Sequence, residues 1–233
     1  MLLAFPPAGG SEAVFSEIFG LSGDCEPRLL RYPLDQQSIL NCVEAPENRA
    51  SGRAVVLVGA SLGAVAAIET AQFLEKRGIT VTCTVVLSAV APHRRVVSPV
   101  RQWTDGDLLD LVRDASGGVP PSFSSPEIRS YAFGLLRRDL EWGQSHPGLP
   151  RIPLRSPLVA IRGERDTLVP EQAGTSDWAQ WTVSDFSSWT VSGGKHFFFG
   201  DPDGARSVAR AMRSFRVPAD VAEEASWSYA SRS

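Results

Sequence analysis

Cysteine, histidine and methionine are scarce in this sequence. Its 233 residues include three cysteines, three histidines and two methionines. The cysteines are Cys25, Cys42 and Cys83, and they show neither a CxxC pair nor the Cys/His spacing of a zinc site. We therefore expect ordinary packing of these side chains in a reducing compartment, and no metal site.

Long apolar runs and an excess of positive charge are missing as well. No apolar stretch reaches the roughly 20 residues that span a membrane, and residues 1–5 (MLLAF) lack the features of a secretory leader. With 23 Lys and Arg against 26 Asp and Glu, the formal net charge of -3 disfavours binding to nucleic acid or anionic lipid. We expect a cytoplasmic protein with neither a nucleic-acid nor a membrane partner.

Apolar runs typical of strands alternate with segments typical of helices. The strand-like runs are LLAF (2–5), AVVLV (54–58), VTCTVVLS (81–88), PLVAIRG (157–163) and FSSWTVSGG (186–194). A helix is predicted after Glu12, and another from residue 62 to its stop at Gly78. This alternation predicts an α/β fold: a mostly parallel central sheet with helices on both faces.

One segment interrupts the alternation. From about Thr104 to Pro150 two helical patterns, DGDLLDLVRDASGG and SPEIRSYAFGLLRRDLEWG, are separated by a Pro/Gly/Ser-rich stretch. We predict a single domain over 1–218 with a helical insertion at about 104–150. The polar residues 219–233 are predicted to form a disordered tail.

A serine lies in the turn after the second apolar run. Residues 59–63, Gly-Ala-Ser-Leu-Gly, fit the pattern G-x-S-x-G between a predicted strand and a predicted helix, which exposes a serine hydroxyl at a sharp turn. The helix N-terminus favours negative charge that develops nearby. Ser61 is therefore a candidate nucleophile, although a purely structural turn would also accept these small residues.

A serine nucleophile requires a histidine base oriented by a carboxylate. His196 follows the last predicted strand and is the candidate base, whereas we interpret His93 and His146 as structural or surface residues. In the chain order serine, acid, histidine, Asp166 is the first choice for the acid, because it follows a buried strand and a glycine turn.

Two other acidic residues compete with Asp166 for this role. Glu164 and Asp177 lie in the same part of the chain, and the sequence does not fix the geometry of the loop. If Asp166 only forms a turn with the backbone, as Asp often does, one of these two must supply the acid.

Five motifs in the same order resemble the type II thioesterases that accompany polyketide and nonribosomal peptide synthases. AFPPAGGS is similar to the family's F-P-H-A-G-G and GASLGA to its G-H-S-M-G-A. GERDTLV is similar to G-x-x-D-x-x-V, GGKHFFF to G-G-H-F-F-L, and FGLLRRDL to L-P-x-L-R-A-D-F. The motifs extend from Phe5 to about Phe199 and cover most of the chain.

This resemblance implies an α/β-hydrolase fold and a thioesterase that needs no cofactor of its own. Ser61 would attack an acyl group carried on the phosphopantetheine arm of an acyl or peptidyl carrier protein, with His196 and Asp166 completing a triad. The oxyanion would be bound by the backbone N–H groups of Ala8 and Leu62, because Pro7 has no N–H. The insertion would form a lid over the acyl chain, and its candidate substrate-binding residues are Phe133, Leu135 and Leu136.

The sequence also departs from the family pattern around the serine and in the lid. Ala60 and Pro7 stand where the family has histidines, Lys195 stands in place of a glycine, and Gly134 and Arg138 replace the Pro and Ala of the lid motif. These departures leave three functions open. The chain could be a hydrolytic thioesterase, a trans-acting cyclase, acyltransferase or small-ester hydrolase, or a non-catalytic protein that binds carrier domains.

Overall fold

A parallel sheet forms the centre of the molecule. The computed structural model describes residues 1–23, 27–45, 55–95, 99–169 and 175–215. Within these ranges the strands are β1 (Leu2–Phe5), β2 (Pro27–Leu29), β3 (Val55–Ala60), β4 (Val81–Leu87), β5 (Leu158–Gly163) and β6 (Phe186–Val191). They are ordered β2-β1-β3-β4-β5-β6, and every neighbouring pair is parallel. The predicted sheet is therefore confirmed.

Helices cover both faces of this sheet. They are α1 (Ser16–Gly20), α2 (Gln36–Val43), α3 (Leu62–Lys76), α4 (Asp105–Ser116), α5 (Pro126–Ser145) and α6 (Pro202–Ser214). Alternate residues of each strand point to opposite faces, so Leu3 and Leu57 pack in the core that includes α2 and α3. Leu2 and Val56 pack in the core that includes α1 and α6. The chain therefore has the α/β arrangement expected from its sequence.

The two helices between β4 and β5 begin at side-chain caps. Thr104 and Asp107 form a reciprocal capping box at the start of α4, and the Ser125 side chain accepts the N–H of Ile128 at the start of α5. Helix α4 ends before Gly117, whose φ of 71° is the left-handed conformation that favours glycine at a helix end. These helices lie in the predicted insertion, and we call α4 and α5 the lid helices.

Several elements were not predicted from the sequence. The edge strand β2, helix α2 and helix α6 were missed, and the predicted helix after Glu12 is a 3-10 turn (Glu12–Phe15) followed by the short α1. Cys83 is buried in the sheet and Cys42 is half-buried. Cys25 and the predicted tail fall outside the described residues. Among the described helices, none is both long and apolar enough to cross a membrane.

Candidate active site

The turn after β3 holds Ser61 in an unusual backbone conformation. Its φ of 52° and ψ of -116° lie in a region that residues with a side chain rarely adopt. The Ser61 N–H donates to the carbonyl of Leu87 in β4 at 2.8 Å, which ties the turn to the sheet. Helix α3 begins at the next residue, Leu62, whose N–H is at the first helical position and has no acceptor within the helix.

The two glycines of the turn are required by close backbone contacts. A Cβ on Gly59 would lie 2.3 Å from the carbonyl oxygen of Gly63, and a Cβ on Gly63 would lie 2.1 Å from the carbonyl oxygen of Phe5. Non-bonded carbon and oxygen atoms do not approach this closely. The G-x-S-x-G spacing therefore follows from the tight packing of α3 against β3 and β1.

His196 and Asp166 form a buried pair beside this turn. The loops after β5 and β6 bring them together, and the imidazole Nδ1 lies 2.9 Å and 3.0 Å from the two Asp166 carboxylate oxygens. Asp166 Oδ1 also accepts the N–H groups of Leu168 (3.0 Å) and Val169 (3.2 Å). An ionised carboxylate only accepts hydrogen bonds, so Nδ1 carries the proton and Nε2 is left as the basic nitrogen.

Opposing effects act on the pKa of Asp166. Burial raises this pKa, but the hydrogen bond and charge of His196, together with the N–H of Leu168, outweigh burial and hold the pKa below the ordinary value. Asp166 is 3% exposed and His196 is 4% exposed, so water does not screen the pair effectively. The pair is suited to stabilise a positive charge that develops on the imidazole.

The two competing acids have other partners. Glu164 accepts the N–H of Gly193 at 2.7 Å, and this hydrogen bond lowers the pKa of Glu164. Asp177 forms an ion pair with Arg94 at 3.0 Å. Of the three acids considered, Asp166 is the one in contact with His196.

The remaining histidines lie outside the site. His93 accepts a hydrogen bond from the indole N–H of Trp181 at 3.1 Å. His146 lies 3.3 Å from a Glu69 carboxylate oxygen. Neither histidine lines the cavities that contain Ser61. These contacts fit the structural roles expected for both residues.

The loop after β1, residues 6–10, lies opposite the serine turn. Four of its five backbone positions are accounted for: Pro6 and Pro7 have no N–H, Gly9 donates to Asp139 at 2.9 Å, and Gly10 donates to the Pro7 carbonyl at 2.8 Å. The N–H of Ala8 has no acceptor among the described residues, and Ala8 lines the same cavity as Ser61. This leaves Ala8 as a donor available to a ligand in the cavity.

Two cavities meet at Ser61 and His196. The first, of about 240 Å³, lies under the lid helices and is lined mainly by apolar side chains from α4 and α5. These side chains are Leu111, Val112, Ala115, Ala132, Phe133, Leu136 and Leu140. The second, of about 460 Å³, is also lined mostly by apolar side chains but has Arg94 and Arg95 on its wall. A substrate with an apolar end and a polar end could therefore extend in two directions from the serine.

The three lid residues predicted to bind substrate do not all line the first cavity. Phe133 and Leu136 line the first cavity, whereas Leu135 is half-buried and is not among the residues that line it. Helix periodicity explains this result, because adjacent residues project about 100° apart. Sequence reasoning also missed Asp139, although it stands in the quoted stretch FGLLRRDL.

No group of three or more His, Cys, Asp or Glu side chains among the described residues is arranged to hold a metal ion.

Known proteins resemble this chain over most of its length. It is 30% identical over 179 residues to "AMB antimetabolite synthetase AmbE" of Pseudomonas aeruginosa, a match that covers 71% of this chain and 8% of AmbE. It is 29% identical over 218 residues to "Thioesterase PikA5" of Streptomyces venezuelae, covering 86% of this chain and 75% of PikA5. The chain thus spans a small part of the large synthetase and most of the discrete thioesterase.

A solved structure and a family model agree with these relatives. The type II thioesterase BorB from the borrelidin biosynthetic cluster superposes with a TM-score of 0.71 at 25% identity, covering 92% of this chain and 91% of BorB. The family model described as a thioesterase domain matches residues 1–215. The resemblance seen in the five sequence motifs is confirmed, and this chain belongs to the thioesterase domain family.

Proposed function

We propose that this protein is a type II thioesterase of polyketide or nonribosomal peptide biosynthesis. In this proposal it hydrolyses acyl thioesters from the phosphopantetheine arm of acyl or peptidyl carrier proteins, for editing or for product release. The observation that carries the proposal is an apolar cavity beneath two helices that ends at Ser61 and at the buried His196–Asp166 pair. PikA5 and BorB, which are described as thioesterases, support it.

The first half of the reaction forms an acyl-enzyme. Ser61 Oγ attacks the thioester carbonyl while His196 Nε2 accepts the hydroxyl proton, and Asp166 stabilises the resulting imidazolium. The N–H groups of Ala8 and Leu62 donate to the carbonyl oxygen as it becomes an oxyanion. The carbon–sulfur bond then breaks, and the departing thiolate receives the proton from His196. No hydrogen bond joins Ser61 to His196 in the described residues, and such contacts often tighten when substrate binds.

The second half of the reaction hydrolyses the acyl-enzyme and regenerates the free serine. A water molecule gives a proton to His196 Nε2 and attacks the acyl carbonyl carbon, and the same two N–H groups bind the second oxyanion. Collapse of this intermediate breaks the bond between Ser61 Oγ and the acyl carbon, and Oγ recovers its proton from His196. The products are a free carboxylic acid and the intact enzyme, and in this proposal the enzyme needs no cofactor of its own.

In this proposal the two cavities bind different ends of the substrate. The acyl chain lies in the first cavity, where Phe133 and Leu136 remove apolar surface from water. The polar arm of the carrier protein extends through the second cavity past Arg94 and Arg95. A cytoplasmic location, expected from the sequence, remains part of this proposal.

The test is hydrolysis of a panel of acyl groups, each presented on a carrier protein, on coenzyme A and on a short thiol. Contacts to the carrier contribute to transition-state binding, so we expect a clearly higher kcat/KM for the carrier-bound form of each acyl group. The Ser61→Ala variant is the matched control, because it keeps both cavities and loses the nucleophile.

Other outcomes separate the alternative functions. Equal kcat/KM values for all three forms would contradict the proposal and favour a general esterase. Products joined to an added amine or alcohol, in place of free acid, would indicate an acyltransferase or cyclase. Failure of a serine-directed phosphonate to label Ser61, measured by intact mass, would indicate a non-catalytic carrier-binding protein.

A further inference from the structure

A buried carboxylate connects the lid to the loop opposite the serine. Asp139 belongs to lid helix α5, is 2% exposed and lies far along the chain from that loop. Its Oδ2 accepts the N–H of Gly9 at 2.9 Å, and its Oδ1 accepts Arg138 Nη2 at 2.7 Å. Gly9 directly follows Ala8, whose N–H is the donor assigned to the oxyanion.

The contact between helix and loop is tight on its apolar side as well. Gly9 has a φ of 69°, and a Cβ placed on it would lie 3.1 Å from the Leu136 Cβ and 3.2 Å from the Leu136 Cα. The loop therefore packs directly against the backbone of α5. A displacement of α5 would remove this packing and the acceptor for the Gly9 N–H at the same time.

A second side chain holds the other end of the loop. The buried Tyr32 hydroxyl donates to the carbonyl of Pro6. Burial raises the pKa of Tyr32 well above its ordinary value, and the negative charge of Asp139 raises it further, so the hydroxyl stays protonated as a donor. The Tyr32 ring also stacks on Trp142 of α5, with the ring centroids 4.4 Å apart, so both ends of the loop are linked to this lid helix.

We propose that Asp139 is a positioning residue that aligns the Ala8 N–H with the developing oxyanion, so that the oxyanion site is complete only while α5 is seated. This inference rests on the proposed function. A Gly9 N–H without its acceptor would be a partly buried donor with no protein partner, and the peptide units around it would turn toward another acceptor. Seating of the lid would then be a condition for the chemical step, and not only a means of enclosing the acyl chain.

The decisive comparison uses three variants on one carrier-bound thioester. Asp139→Ala removes the acceptor, and we expect kcat to fall about 10- to 100-fold with KM nearly unchanged, a smaller loss than the roughly 100- to 1000-fold that follows deletion of an oxyanion donor. Asp139→Asn keeps an oxygen acceptor and should recover most of kcat. Leu108→Ala removes buried volume from the same lid cluster but leaves both Asp139 hydrogen bonds in place, so it should lower Tm and leave kcat of the folded protein within about threefold.

A second readout separates alignment from stability. An alkylboronic acid forms a tetrahedral adduct on a catalytic serine and places an oxygen where the oxyanion develops. Its affinity should fall in Asp139→Ala by the same factor as kcat, and should be retained in Leu108→Ala. A lower Tm with unchanged kcat and boronate affinity in Asp139→Ala would overturn the proposal, as would an Asp139→Asn variant as impaired as Asp139→Ala.

Hydrogen exchange of the wild-type protein tests the coupling without any variant. If loop and helix open together, the amides of Gly9 and Leu136 should show the same opening equilibrium, and boronate should protect both. Separate opening of the two amides would contradict the coupling. Boronate binding without thioester hydrolysis would instead refute the proposed function and leave the positioning role testable.

Discussion

The turn that carries Ser61 and the loop that carries Ala8 face each other, but they are held in place by different means. The serine turn is fixed by backbone contacts of neighbouring elements, where Gly59 and Gly63 leave no space for a Cβ. The loop is fixed by side chains that are distant in the chain: the Tyr32 hydroxyl donates to the Pro6 carbonyl, and the Asp139 carboxylate accepts the Gly9 N–H. One half of the proposed oxyanion site is therefore part of the sheet core, while the other half depends on distant residues.

Because of this difference, we expect substitutions in the two regions to affect different properties, stability in one and the rate of reaction in the other. Side chains added at Gly59 or Gly63 in the serine turn disturb the packing of β1, β3 and α3, and we expect such changes to affect folding. Changes that release the loop leave the sheet intact, and we expect them to affect the rate of the chemical step first.

The largest effect is expected from Ser61→Ala, which removes the nucleophile and keeps the backbone of the turn. Hydrolysis of a carrier-bound thioester should fall by roughly 10⁶-fold, as in other enzymes in which the triad acts as a unit. Tm should change little, because only one hydroxyl is lost from the cavity wall. Phosphonate labelling followed by intact mass should detect no adduct, and a label on another serine would disprove the assignment.

Asp166→Asn should have the next largest effect, about 10⁴-fold on kcat, because an amide favours the wrong imidazole tautomer. Glu164→Gln is the matched control, since Glu164 hydrogen-bonds Gly193 and does not touch His196. We expect the control to stay within a few-fold of wild type in a steady-state assay. A reversal of these two results would place the acid at Glu164.

Gly63→Ala and Gly9→Ala sharpen the contrast directly. The Gly63 Cβ would meet the Phe5 carbonyl at 2.1 Å, so we expect a loss of about 3 kcal/mol or more in the free energy of unfolding. A side chain at Gly9, with φ of 69°, adds strain of about 1–2 kcal/mol and presses on Leu136. Denaturant unfolding should show the larger loss of stability in Gly63→Ala, whereas the larger loss of kcat relative to stability should occur in Gly9→Ala. If one variant shows the larger loss in both measurements, the distinction between turn and loop is removed.

The pH dependence of stability reports on Asp166. Its folded-state pKa is held below the ordinary value of 3.8, so the unfolded chain binds the proton at higher pH than the folded protein. The stabilisation is fully present above pH 3.8 and is lost as pH falls through the folded-state pKa. Thermal unfolding from about pH 5 down to about pH 2, for wild type against Asp166→Asn, should show a steeper loss of stability below pH 3.8 in wild type.

The smallest effect is expected in the lid. Leu136→Trp narrows the first cavity and should shift the preferred acyl group to a shorter chain, with a change of several-fold in kcat/KM between chain lengths. Leu135→Trp, one position along the same helix, lies outside the lining of that cavity and should leave the chain-length profile unchanged. Equal shifts in both variants would mean that the acyl chain does not follow this cavity.

The sequence was sufficient where a few neighbouring residues determine the geometry. The strand, the small residues and the helix around Ser61 are adjacent in the chain, and a parallel sheet brings the loops after β3, β5 and β6 to one edge. For this reason the positions of Ser61, Asp166 and His196 at that edge could be derived without coordinates. Their catalytic roles stay predictions.

Other features could not be derived because their causes lie far apart in the chain. Asp139 and Gly9 are separated by 130 positions, and no local pattern links a lid-helix carboxylate to the amide that it accepts. The edge strand β2 has three residues, one of them proline, which is too short to show alternation. The lid pattern predicted helices in the right region, but it did not distinguish Leu136 from Leu135.

Both proposed oxyanion donors are backbone amides, and this limits what mutagenesis can detect. Any residue except proline supplies the same N–H at positions 8 and 62, so the side chains there are free to change through evolution without loss of the donor. An alanine scan would miss both proposed oxyanion donors, because Ala8 is already alanine and Leu62→Ala keeps its backbone N–H. Proline substitution or an amide-to-ester exchange in the backbone is needed to reveal these positions.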